Sequence, residues 1–216
     1  MLWITLACVG SSETPFEGDT GGGLEPLSEN TATAPAATSE SDYPEVLSYV
    51  TGEADDYAWA HAIGYVHADA KTVWDAFQEE DVVTDRANVD SWSKELTEDE
   101  AYDRSFLIHC IVNDIVEVAW DVGWYQTLNA GTEAAPEQVV GRVQKIEGSE
   151  FIELIEGSVV LNRIEDEVTE VQLIYHVGSL AGAGDDPAAV EDWVTSVHAD
   201  VVAWSHGDPL PTVEKE

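Results

Sequence analysis

Six histidines, two cysteines and 44 carboxylates are among the side chains of this 216-residue chain able to move protons, hold metals or attack a carbonyl carbon. His61, His109 and His176 fall on three separate predicted strands, and His198 falls on the last predicted helix. Converging in one cavity, they would serve as acid/base groups or metal ligands. The chain has no His-Glu-x-x-His run, no His-x-His and no spaced cysteine pair, so nothing in the spacing brings them together. Histidines scattered in this way are ordinarily satisfied core or surface groups, and neither a metal nor a cofactor is expected. Cys110 is a lone thiol in an apolar strand pattern, the setting of an inert packed cysteine. No serine occupies a Gly-x-Ser-x-Gly elbow, and there is no phosphate-binding or dinucleotide-binding glycine loop. The acidic triplets Glu79-Glu80-Asp81, Glu98-Asp99-Glu100 and Glu165-Asp166-Glu167 lack the spacing and the glycine of a calcium loop. Asp121 lies between Trp120 and Val122 and so points to the opposite, solvated face, while Arg142 is expected in a surface ion pair.

Charge removes further classes. Eight Lys and Arg against 44 Asp and Glu leave a formal charge of -36. Phosphate contacts need cations, so a nucleic-acid binder working through a basic surface is excluded, and a polybasic grip on anionic lipid is disfavoured. The surplus acid reads as a solvated surface whose self-repulsion salt would screen. No apolar stretch reaches the roughly 20 residues of a membrane-spanning helix. The eight Trp and a 44% share of hydrophobic residues allow a sizeable core.

The elements that would position these side chains lie between about residues 56 and 211. Tyr57, Trp59, His61, Ile63 and Tyr65 alternate with small residues, which predicts a strand. Asp69 can cap a helix carrying Val73, Trp74 and Phe77 at helical spacing, and a second short helix fits 81–86. Stretches 105–113 and 116–126 form a hairpin pattern, and 127–138, holding Gly131 and Pro136, reads as a loop. Segments 139–146, 150–156, 158–164 and 169–177 are β-rich, and Gly157-Ser158 reads as a turn between two of them. Together they predict an antiparallel meander. Residues 180–186 are a Gly/Ala loop, and Pro187 opens a helix whose Val190, Trp193, Val194, Val197, Val201 and Trp204 form one apolar stripe. At about 28 Å this helix is long enough to lie across the sheet. The acidic link 88–104 around Trp92 has no evident place in the pattern.

Strand, two helices, about six antiparallel strands and one long helix is the order of the START-like, or helix-grip, superfamily, which this chain resembles over about residues 57–207. The resemblance is carried by His67–Gln78 (HADAKTVWDAFQ), by Glu156–Val177 (EGSVVLNRIEDEVTEVQLIYHV) and by Ala188–Trp204 (AAVEDWVTSVHADVVAW). It implies an α+β fold in which a curved antiparallel sheet of six or seven strands wraps the C-terminal helix. It also implies an apolar cavity between the two. Trp120, Trp124, Val171, Leu173, Tyr175, Trp193 and Val197 are the residues expected to line that cavity. The function implied is encapsulation of a lipid, sterol, quinone or polyketide-like molecule, by a binding protein more than by an enzyme, with loop 180–186 and the last helix as gate. A cyclase/dehydratase of the same superfamily, or an interaction module with its cavity closed, are the alternatives.

Two N-terminal blocks precede the domain. Residues 1–10 (MLWITLACVG) resemble a lipoprotein signal ending at Cys8, although no Lys or Arg precedes the apolar run and Thr5 stands where Leu is usual. Lipidation of Cys8 would make the protein an extracytoplasmic, membrane-anchored bacterial lipoprotein, touching the membrane through that anchor only. Residues 11–55 are small, polar and without a cation, a composition that predicts a disordered tether of about 35 Å root-mean-square span. Within it, 43–49 (YPEVLSY) reads as a short helix or docking segment.

Overall fold

Alternating apolar residues make strands whose two faces differ, and here they assemble into one sheet of eight strands, all pairs antiparallel. A computed structural model describes residues 23–97, 99–113, 116–179 and 187–213. The elements in order are β1 (Leu47–Glu53), β2 (Ala58–Val66), α1 (Ala70–Ala76), α2 (Glu80–Val83), β3 (Ser91–Leu96), β4 (Arg104–Asn113), β5 (Glu117–Thr132), β6 (Ala135–Gly148), β7 (Ile152–Glu165), β8 (Val168–Ser179) and α3 (Pro187–His206). The sheet order is β1-β2-β8-β7-β6-β5-β4-β3, so the α1–α2 crossover carries the chain from one side of the sheet to its far edge. From there the meander returns until β8 closes on β2. The α+β class and the terminal helix are as expected, and the strand count is eight rather than six or seven.

Local chemistry accounts for the ends and the turns. Asp69 caps α1 by accepting from the backbone N–H of Lys71 and of Thr72, both at 3.0 Å, and Val73 and Trp74 are buried. The stripe of α3 faces the sheet through Val190, Trp193, Val194, Val197 and Val201, all buried. Arg86 ties the crossover to α3: its Nη2 donates to Asp200 Oδ1 and Oδ2 at 2.6 and 2.7 Å, and the Asp200 side chain is 1% exposed.

Three segments differ from expectation. The loop expected over 127–138 is a zipped hairpin, paired from Leu128↔Val139 to Thr132↔Ala135. Gly131 sits at φ +92°, and the register shifts beside it absorb the residues that read as a break. Gly157 is mid-strand: it faces Tyr175, and a Cβ there would lie 2.5 Å from the Ile174 carbonyl, so the glycine serves close approach of strands and not a turn. The link 88–104 contains β3, with Trp92 opposite Cys110.

The predicted tether also differs. Residues 47–53 are β1, and the stretch 24–31 lies along the sheet's outer face. Leu24 is buried against Tyr125, Val140 and Val160. Asn30 Nδ2 donates to the carbonyls of Ala62 (3.0 Å) and Leu173 (3.2 Å), and the Thr31 N–H donates to His61 Nδ1 at 3.0 Å. Low apolar content hides such a strap because side-chain and backbone hydrogen bonds hold it more than burial does. Residues 1–10 with Cys8, and loop 180–186, lie outside the described residues.

Candidate functional site

The sheet face toward α3 is filled at one end and hollow at the other. The filled end is built by α1 and the middle of α3: Val171 and Leu173 are 0% exposed, and Val197 is 1% exposed. These three residues, expected to line the cavity, are solid core. At the other end lies a cavity of about 500 Å³ that Trp120, Trp124, Tyr175 and Trp193 do line. The remaining wall comes from Ile108, Cys110 and Val112 of β4, Val122 of β5, Val143 of β6 and Ile155 of β7. Val83, Thr84, Asp85, Asn88 and Val89, from α2 and the turn after it, close one side. Phe151 and Val116 belong to the lining yet are 51% and 54% exposed, which puts them at its rim. Among the described residues no side chain fills this space.

Aromatic stacking shapes the hollow. Tyr175 and Trp193 lie nearly parallel with centroids 3.8 Å apart, joining β8 to the start of α3, and Trp124 stacks on Phe106 at 5.9 Å. The polar groups are few. Burial pushes the Cys110 thiol up to about 12, and burial also raises the Tyr175 hydroxyl far above its ordinary value. Both are protonated near neutrality. Burial raises the Asp85 carboxyl, against hydrogen bonds from Asn88 that favour its ionised form. Thr84 is buried, and its hydroxyl has no hydrogen-bond partner among the described residues.

None of the histidines lines the cavity. His61 and His176 lie on the outer face with ring centroids 6.3 Å apart. His61 accepts from the strap, and His176 Nδ1 lies 3.0 Å from Glu156. His109 pairs with Asp121 at 2.6 Å, on the outer face expected for Asp121. His198 is buried between α3 and β2, and burial lowers its pKa. Arg142 also turns outward, donating to the Glu25 carbonyl of the strap at 3.4 Å. The strand period sends side chains to alternate faces, so His61, His109 and His176 all lie opposite the hollow. Asp85, Thr84 and the rim residues escaped sequence reading, the first two because they follow a one-turn helix with no periodicity.

No protein-family model and no curated protein matches the chain. Solved structures do. The lipid transfer and protein localization domain of human StarD13 superposes with a TM-score of 0.51 at 10% identity, over 83% of this chain and 89% of that one. A STAR-related lipid transfer protein from Xanthomonas axonopodis gives 0.48 at 12% identity, over 76% and 93%. The Zhui aromatase/cyclase from Streptomyces sp. R1128 gives 0.45 at 15%, over 70% and 92%. The chain has the START-like, helix-grip fold.

Proposed function

We propose that this protein binds an apolar small molecule by enclosing it between the sheet and the first half of α3. The observation that carries the reading is the hollow of about 500 Å³, walled by aromatic and aliphatic side chains. Its size falls within the roughly 300–1,000 Å³ of small-molecule sites. Each methylene moved there from water contributes about 0.8 kcal/mol, so a lipid-like chain binds without a dedicated catalytic motif. The rim at Phe151 and Val116 gives an apolar path in. The lipid-transfer role named for the StarD13 domain, on the same fold, agrees with this reading. A lipid anchor at Cys8 would place the cavity beside a membrane outside the cytoplasm, and palmitate labelling lost in Cys8→Ser tests that part.

Purification after exposure to a membrane extract, followed by organic extraction and mass spectrometry, tests the cavity. Retention of an apolar compound in about equimolar amount is expected. Protein that comes back empty, and that also fails to bind an apolar fluorophore, overturns the reading.

A further inference from the structure

Charge in the wall narrows the ligand, given the reading of the cavity as a ligand site. Among the lining residues Asp85 alone carries a formal charge, and no Lys, Arg or His is present. Its neighbour Arg86 is committed elsewhere, to Asp200 and the Pro211 carbonyl. Among the described residues no cation lines the cavity. The Asp85 carboxyl accepts from Asn88 N–H at 3.3 Å and from Asn88 Nδ2 at 2.9 Å. A carboxylate has about four acceptor sites, which leaves capacity for a further donor. Tyr175, Cys110 and Asp85 all belong to the lining of the cavity. Asp192 of α3 also favours the neutral form of Asp85.

We propose that this cavity selects a neutral apolar molecule bearing a hydroxyl group and rejects carboxylate amphiphiles, with Asp85 as the specificity-determining residue. A hydroxyl donates to Asp85. A carboxylate meets a like charge, with no cation among the described lining residues to offset its lost hydration. Long-chain alcohols, sterols and quinols fit this chemistry, and ionised fatty acids do not.

The test uses the full chain, loaded with the neutral fluorophore N-phenyl-1-naphthylamine, at about pH 8, where fatty acids are ionised. Three competitors share one chain length: dodecanol, dodecyl methyl ether and laurate. Dodecanol is expected to displace the fluorophore at about tenfold lower concentration than the ether, which lacks a donor, and laurate is expected to be weaker than both. In Asp85→Asn the advantage of dodecanol over laurate is expected to shrink about tenfold, with the ether unchanged. Laurate or the ether matching dodecanol in the wild-type chain overturns the proposal, as does a folded Asp85→Asn variant with unaltered ratios. The wild-type order decides even if that variant does not fold. A fluorophore that never binds saturably marks a different failure, that of the cavity itself.

Discussion

The two faces of the one sheet solve burial in opposite ways. Toward α3, large apolar side chains pack the end around Val171 and Leu173 and stop short of filling the other end. On the outer face, alternate residues of β8 such as Ile174 and His176 are covered by the strap and by polar partners. There, Asn30 and Thr31 hold the chain by hydrogen bonds to the sheet. One strand, β8, thus contributes to a solid core, to a hollow and to a polar cover. The difference shows that burial alone does not mark a site. What marks it is apolar lining without a protein side chain to fill the space.

Truncation at the filled end should show the largest effect. Leu173→Ala is expected to cost about 2–5 kcal/mol of stability in urea unfolding, because a fully buried side chain leaves a void. A cost under about 1 kcal/mol would mean that this end is as loose as the hollow. Filling the hollow should do the reverse: Val122→Phe, at a cavity-lining position, is expected to weaken apolar-fluorophore binding about tenfold or more with little loss of stability. Equal binding in that variant would place the ligand elsewhere.

The outer face should respond more weakly. Asn30→Ala removes two hydrogen bonds to backbone carbonyls and is expected to cost about 1–2 kcal/mol, leaving fluorophore affinity unchanged. A matching loss of affinity would show that strap and cavity are coupled.

The smallest effect is a pH dependence. Burial, and then the charge of His176, lowers the His61 pKa from 6.5, and its Nδ1 must be unprotonated to accept from Thr31. The unfolded chain therefore binds the proton more readily than the folded one. The His61 contribution is complete above pH 6.5 and is lost as pH falls through the lower folded value. His198, lowered by burial, acts with the same sign. Acidification also relieves repulsion on the acidic surface, so the measurement is a difference. Between about pH 7 and 5 the wild-type chain should lose more urea stability than His61→Gln. Equal losses would remove His61 from the account.

Much of the fold was legible because its signals are periodic. The stripe on α3, the alternation in β8 and the Asp69 cap each point to one geometry. Side-chain alternation assigns a face but not a depth along the strand. That is why Trp120, Trp124, Tyr175 and Trp193 fall in the hollow while Val171, Leu173 and Val197, on the same faces, fall in the core. Glycines misled where they served close approach or a bulge, at Gly157 and Gly131, and not a break. The strap escaped because its hold is a few hydrogen bonds spread over a small-residue segment. Asp85 escaped because the short helix expected over 81–86 spans Glu80–Val83 and leaves it in the turn that follows.

The most direct measurement of the central claim is a fluorescence titration of the full chain with a neutral apolar probe, run beside Val122→Phe. The account predicts saturable binding with about one probe per chain, lost in the filled variant. Non-saturating fluorescence, or saturable binding that survives the filling, would contradict it.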